Sequence, residues 1–207
     1  MKFTPDSKFM ILCTRLVELT KLNLLWLLCI LPVFTAGAAT TALITCLYAF
    51  HAGEECGSKV FFASFRKSFG KATIVWVIIL FFAAMLVVDY YIVAYLAFPG
   101  RMAVIGLLFF FLFALVIFAE MIFPLISQFP AGIREMTVNA ILLSIAHLPK
   151  MLLVTGMNLL PLLLLILLPQ VFILLGFLWL ICGFSLMGLY DIMVVEQILA
   201  PFRQTEE

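Results

Sequence analysis

The chain has 207 residues, of which 66% are hydrophobic and only 11% are charged. Its mean hydropathy of +1.27 excludes an ordinary soluble globular protein and indicates an integral membrane protein. The formal net charge is +1, so the chain lacks the excess of Lys and Arg that binding to a nucleic-acid backbone requires. We therefore expect membrane lipid, and no nucleic acid, as its partner.

The reactive residue types form none of the common chemical motifs. The five cysteines are scattered and form no CxxC pair, so we expect neither a disulfide framework nor a zinc site. The two histidines belong to no HExxH motif, and the sequence contains no GxSxG or GxxxxGK[ST] motif. This pattern favours a protein that is not an enzyme and that has no cofactor.

Hydrophobic runs long enough to cross a bilayer follow one another along the chain. A hydrocarbon core of about 30 Å requires about 20 residues of helix. We predict an all-α polytopic membrane protein with six transmembrane helices in a single domain, residues 1–207. The approximate bounds of the spans are 10–34, 36–52, 72–97, 102–129, 148–168 and 171–199.

The first two spans depend on the stretch Leu22–Phe50, which is interrupted at Pro32. One long helix, a short hairpin and a shallow re-entrant hairpin all fit its length. The distribution of Lys and Arg favours a hairpin, since six crossings leave only Arg101 on the side opposite the termini. We therefore predict that both termini are cytoplasmic and that the protein lies in the plasma membrane. Ala36-Gly37-Ala38 also loosely matches a signal-peptide cleavage site, but the apolar residues that follow argue against cleavage.

The first long loop, residues 53–71, combines aromatic with basic side chains. Its phenylalanines follow a helical stripe and its cations lie largely elsewhere, which predicts an amphipathic helix in the plane of the membrane surface. Such a helix binds either anionic lipid or a partner protein. Residues 130–150 form the second cytoplasmic amphipathic segment, and a match at an offset of 68 residues suggests a duplicated unit. The candidate docking residues are Phe61, Phe65, Arg66, Lys67, Phe69, Lys71 and Arg134.

Ionisable residues within spans are candidate functional residues because they are costly to bury in a bilayer. Glu120 and Asp191 lie about 28 and 31 Å along their helices, so we expect both near the cytoplasmic edge, where water or a cation satisfies them. The alternative hypothesis is that they meet Glu196 near Arg134 or Lys150 and gate an inner cavity.

Two further features concern the packing of the spans. Asn158 precedes Pro161 in the fifth span, which indicates either a simple kink or the discontinuous helix of a transporter site. The small residues from Thr35 to Ala42 predict close helix packing, the alternative being an anion site at free backbone amides. The candidate intramembrane residues are Gly37, Thr40, Thr41, Glu120, Asn158 and Asp191.

The motif Asn23-Leu-Leu-Trp-Leu-Leu-Cys29, with the small-residue run from Gly37 to Leu43, resembles the YesL family of bacterial membrane proteins. The similarity extends through residues 61–72, 123–129 and 139–150, nearly the whole chain. The resemblance implies an accessory role in carbohydrate uptake beside an ABC importer, and it supplies no catalytic or ligand residues.

Two functional hypotheses follow. The first is a non-enzymatic membrane accessory of a carbohydrate ABC importer, whose subunits contact the two cytoplasmic segments. The second is a small stand-alone transporter in which Glu120, Asn158 and Asp191 line the path of the substrate.

Overall fold

The computed structural model describes residues 8–54, 56–96 and 98–203. Within these ranges the secondary structure is helical throughout, as the sequence predicts. A short 3₁₀ turn, Val33–Thr35, precedes the second helix, and a π-helical segment, Trp179–Gly183, joins the last two. The helices are α1 Lys8–Ile30, α2 Ala36–His51, α3 Ser58–Tyr95, α4 Arg101–Gln128, α5 Ile133–Ala146, α6 Leu148–Leu167, α7 Pro169–Leu178 and α8 Phe184–Arg203.

Five helical segments are long and apolar enough to cross a membrane, which indicates a multi-pass membrane protein. They are Val33–His51, Ser58–Tyr95, Arg101–Gln128, Leu148–Leu167 and Gly176–Phe202. Helix α1, which carries Arg15, Glu18 and Lys21, is not among them. A sixth span at α1 and the cytoplasmic position of both termini therefore stay predictions.

The stretch Leu22–Phe50 is two helices and not one. Helix α1 ends at Ile30, and the 3₁₀ turn follows Pro32, whose ring lacks the N–H that a continuing helix needs. The Thr35 hydroxyl donates to the carbonyl of Cys29, which ties the turn to the end of α1. Helices α1 and α2 pack against each other, so the chain forms the predicted hairpin.

Helix α3 differs from its prediction. Residues 58–71 do not form a separate in-plane helix, because they are the first part of a continuous helix of 38 residues. Such a helix is about 57 Å long and exceeds the hydrocarbon core by nearly half its length. No proline interrupts the sequence from Ser58 to Tyr95, so the helix of the span continues through the basic stretch.

Helix α2 lies at the centre of the fold and contacts α1, α3, α4 and α8. Its small side chains permit this, since Ala38, Ala39 and Ala42 are completely buried. At Gly37 an added Cβ atom would lie 2.6 Å from the Ala72 carbonyl oxygen and 2.6 Å from the Trp76 Cβ. The predicted close packing at this run is confirmed.

The segment between α4 and α6 and the turn between α2 and α3 also have defined structures. Helix α5 is separate from α6, because the helix stops at Ala146 and starts again at Leu148. The sulfur atom of Cys46, in α2, is paired with that of Cys56, in the turn between α2 and α3, and their Cα atoms lie 5.5 Å apart. The scattered cysteines did not predict this pairing, because it depends on how the chain reverses after α2.

Candidate functional site

Four polar side chains from three helices meet inside the helical bundle. The Asn158 amide on α6 donates to Glu120 Oε1 on α4 over 3.1 Å and to Asp191 Oδ2 on α8 over 3.0 Å. The Thr155 hydroxyl, one turn before Asn158, donates to Glu120 Oε2. We call Glu120, Thr155, Asn158 and Asp191 the polar cluster. One amide nitrogen thus connects two carboxylates that are far apart in the sequence.

The polar cluster lies at mid-height of α6. Asn158 is about 15 Å from either end of this helix, whose 20 residues span about 30 Å. The bonds to Asn158 bring Glu120 and Asp191 to this level of α6. Their expected position near the cytoplasmic edge of the bilayer stays a prediction.

The polar cluster has no cationic partner in the part of the chain that the structure describes. Among the described residues, no Lys, Arg or His forms an ion pair with Glu120 or Asp191. The second Asp191 oxygen, Oδ1, is fully buried and has no hydrogen-bond partner in the described part of the chain. Two adjacent carboxylates in a medium of low dielectric constant strongly repel each other when both are ionised. The site therefore favours the binding of positive charge, as a proton or as a ligand.

A proline modifies the backbone beside Glu120. Pro124 lies inside α4, four residues after Glu120. Because proline has no N–H, the Glu120 carbonyl lacks its usual helical donor. The position of Pro124 thus provides a further oxygen acceptor next to the Glu120 side chain.

The polar cluster borders a cavity of about 410 Å³, which we call the central cavity. Its walls come from α1, α2, α3, α4, α6 and α8 and are mostly apolar, with no basic side chain among them. The polar side chains in the wall are Thr40, Glu120, Asn158 and Asp191. Small-molecule sites commonly combine an apolar wall and a few convergent polar groups in this way.

Four aromatic rings from different helices line the central cavity: Trp26, Trp76, Phe123 and Phe184. The Trp26 indole N–H donates to the Thr40 hydroxyl over 3.2 Å, and its ring lies 4.8 Å from that of Phe184. The Trp76 indole N–H donates to the Val33 carbonyl over 2.7 Å. Both indole donors are thus occupied within the protein, which fixes the positions of the rings.

The π-helical segment before α8 is stabilised by Asn23 of α1. The Asn23 amide donates to the Leu180 carbonyl, and its oxygen accepts from the Ser185 backbone N–H over 3.0 Å. Asn23 is completely buried. A π-helical turn interrupts the regular i to i−4 bonding, and this side chain supplies part of what is lost. The segment lies directly before α8, the helix that carries Asp191.

The remaining candidate intramembrane residues have structural roles. Thr41 is buried and donates to the Gly37 carbonyl over 2.9 Å within α2, so neither residue faces a ligand. Helix α6 continues through Pro161, which excludes a break at that position. Thr40 is the one member of the small-residue run with a polar group in the cavity wall.

The candidate docking residues do not share one accessible surface. Phe61 is completely buried in the core formed by α1, α2 and α8, and Phe65 is half-buried beside it. Lys71 donates to the Ala131 carbonyl over 2.9 Å and so connects α3 to the α4–α5 turn. The exposed members are Arg66, Lys67, Phe69, Lys71 and Arg134.

The sequence suggested a gating group in which Glu120, Asp191 and Glu196 meet near Arg134 or Lys150. This group forms only in part. Glu196 lies 3.5 Å from the His51 imidazole, and not beside Glu120 or Asp191. Within the described ranges, neither Arg134 nor Lys150 forms an ion pair with a carboxylate. The convergence of Glu120 and Asp191 is thus present without the cations that the hypothesis assigned to it.

Three residues of this region were absent from the sequence prediction: Asn23, Thr155 and Ser185. Asn23 had a signal, since it is a buried amide at the start of the motif that resembles a known family. Thr155 lies three residues before Asn158, a spacing that places both side chains on one helix face. Ser185 had no distinguishing signal, because its role depends on the π-helical segment.

The family DUF624, described as a protein of unknown function, matches residues 19–90. The matched stretch runs from Leu19 in α1 to Tyr90 in α3. It contains Asn23, Trp26 and Gly37, whereas Glu120, Asn158 and Asp191 lie outside it. No curated protein and no solved structure matches the chain.

Proposed function

We propose that this protein is a small membrane transporter whose central binding site is formed by Glu120, Asn158 and Asp191. The observation that carries the proposal is the Asn158 amide, which joins two carboxylates at the wall of a cavity at mid-height of α6. The proposal involves no chemical conversion, in keeping with our expectation that the chain is not an enzyme.

The energetic cost of the polar cluster argues for a role in binding. A charged side chain at the centre of a bilayer costs about 2.5–3.5 kcal/mol on insertion scales. Apolar residues of similar size would hold α4, α6 and α8 together without this cost. Carboxylates within spans are usually found on the path of a substrate or ion.

The same geometry links occupancy to the arrangement of helices. Asn158 bonds to α4 and to α8 through the two hydrogens of one amide nitrogen, so a ligand that attracts both carboxylates competes with both bonds. Binding would thereby change the contacts of three helices together. A transporter needs this kind of coupling, because its two access states must respond differently to the bound substrate.

The experiment uses purified protein in liposomes, so that no other transport protein contributes. The vesicles are incubated in a small-molecule extract, and the solutes retained in the lumen are measured by mass spectrometry against empty vesicles. We expect at least one solute to accumulate, and we expect the double variant Glu120→Gln/Asp191→Asn to abolish its accumulation.

The matched control is Asp89→Asn, which removes an exposed carboxylate of α3 without touching the polar cluster. It should transport like the unmodified protein. Accumulation equal to that of empty vesicles, or accumulation that the double variant retains in full, would contradict the proposal.

A second candidate function is the accessory role in carbohydrate uptake. Its support is the exposed set of Arg66, Lys67 and Phe69 near the start of α3, which a partner could contact without unfolding the core. Importer subunits should then be cross-linked to the protein in native membranes. Charge reversal at Arg66 and Lys67 should remove those cross-links, and undiminished sugar uptake in a deletion strain would argue against this role.

A further inference from the structure

We propose that the ligand of the central cavity is an organic cation with an apolar or aromatic body. This inference deepens the proposed transport function and rests on it. It is carried by the juxtaposition, in one cavity, of four aromatic rings and two carboxylates that have no cationic partner among residues 8–54, 56–96 and 98–203.

The charge of the cavity selects the sign of the ligand. Glu120 and Asp191 are the titratable groups in the wall, and neither α1, α2, α3 nor α6 contributes a basic side chain there. Asp191 Oδ1 has no hydrogen-bond partner in the described part of the chain, so its charge is not compensated by a donor there. An anion would meet two negative groups and no donor cation, whereas a cation would balance charge that the described protein leaves uncompensated.

The walls select an organic body. Trp26, Trp76, Phe123 and Phe184 line the cavity, and the faces of such rings attract cations, most strongly in Trp. Trp26 and Trp76 use their N–H groups on Thr40 and Val33, so a ligand would contact their rings and not their N–H donors. Quaternary and alkylated ammonium groups are commonly recognised by rings arranged in this way.

The size and polarity of the cavity exclude two other ligand classes. A hard metal ion such as Ca²⁺ requires about six to eight oxygen ligands. Glu120, Asp191, Asn158 and Thr40 supply six only if every side-chain oxygen binds, whereas both Glu120 oxygens and Asp191 Oδ2 already accept hydrogen bonds from Thr155 and Asn158. No group of three His, Cys, Asp or Glu side chains suited to a metal occurs in the described part of the chain. A sugar needs hydrogen bonds for many hydroxyl groups, whereas the wall is almost entirely apolar.

The test measures binding rather than transport. The protein is placed in lipid nanodiscs with tritiated phenyltrimethylammonium, and empty nanodiscs serve as the blank. Bound label is displaced with unlabelled cation or with tert-butylbenzene, its uncharged isostere, and a second series uses the larger benzyltriethylammonium. We expect either cation to bind at least about tenfold more tightly than the isostere.

Variants then locate the site. Glu120→Gln/Asp191→Asn should weaken cation binding about tenfold or more, and Trp76→Leu should weaken it by a smaller factor. Asp89→Asn should leave it unchanged. Since the comparison of cation with isostere uses the unmodified protein, it decides the question even if a variant fails to fold.

The outcomes distinguish this inference from the function on which it rests. Equal binding of cation and isostere, or no specific binding of either cation, would overturn the assignment of the ligand. Accumulation of a neutral or anionic solute in the liposome experiment would have the same effect, yet it would leave the transporter proposal standing. If no solute accumulates in the liposomes, the transport proposal is refuted. The nanodisc measurement still decides whether the cavity binds organic cations.

Discussion

Replacing Asn158 by Ala should destabilise the protein, because it removes the shared donor of Glu120 and Asp191. The two bonds measure 3.1 and 3.0 Å. Hydrogen bonds between side chains of membrane helices contribute about 0.6 kcal/mol on average and about 1.7 kcal/mol at most. For two bonds we therefore expect the free energy of unfolding to fall by about 1–3 kcal/mol.

The measurement is reversible unfolding in mixed micelles, with helix content as the signal. Asn139→Ala is the matched control, since Asn139 is exposed on α5, and its effect should stay within about 0.5 kcal/mol. In a Glu120→Leu/Asp191→Leu background the acceptors are gone, so Asn158→Ala should lose most of its effect. Equal effects of Asn158→Ala in both backgrounds would refute the reasoning.

Three further substitutions test the packing by the same unfolding measurement. Gly37→Ala should cost about 1–3 kcal/mol because the new Cβ meets α3, whereas Gly70→Ala, with open space around it, should be neutral or stabilising; equal effects would contradict the close approach. Asn23→Ala should cost about 1–3 kcal/mol and accelerate hydrogen exchange at the Ser185 amide, and unchanged exchange would argue against its role in the π-helical segment. Phe61→Ala should cost about 3–5 kcal/mol, while Phe62→Ala, at a side chain 49% exposed, should cost far less; a small effect at Phe61 would restore the docking interpretation.

The bounds of the helices were predictable where the local composition alone determines them. Predicted spans 102–129 and 148–168 differ by about one residue from α4 and α6, because Gly100 and Leu168-Pro169 interrupt the apolar runs at those points. The prediction failed at the start of α3, where polarity was interpreted as the end of the span. Helix propagation does not depend on polarity, and the absence of proline allows α3 to continue.

The candidate site was predictable in its members but not in its geometry. Glu120, Asn158 and Asp191 attract attention individually, because polar groups within spans are rare and costly. Their convergence depends on how α4, α6 and α8 pack and on the rotation of α8 after the π-helical segment. The spacing of residues along one helix indicates neither how helices pack nor how α8 is rotated, which is why Asn23 and Ser185 were missed.

The central position of α2 has a consequence for membrane insertion during synthesis. The most apolar stretch of Val33–His51, the segment that contains the 3₁₀ turn and α2, has a mean hydropathy of 1.6 and is 61% buried, against 3.0 and 6% for α4. A helix enclosed by other helices gains little from contact with lipid tails, so α2 partitions into the bilayer less readily than α4. We therefore expect a nascent chain truncated after His51 to integrate poorly, and one extended through Tyr95 to integrate efficiently, because α3 then covers the small-residue face of α2.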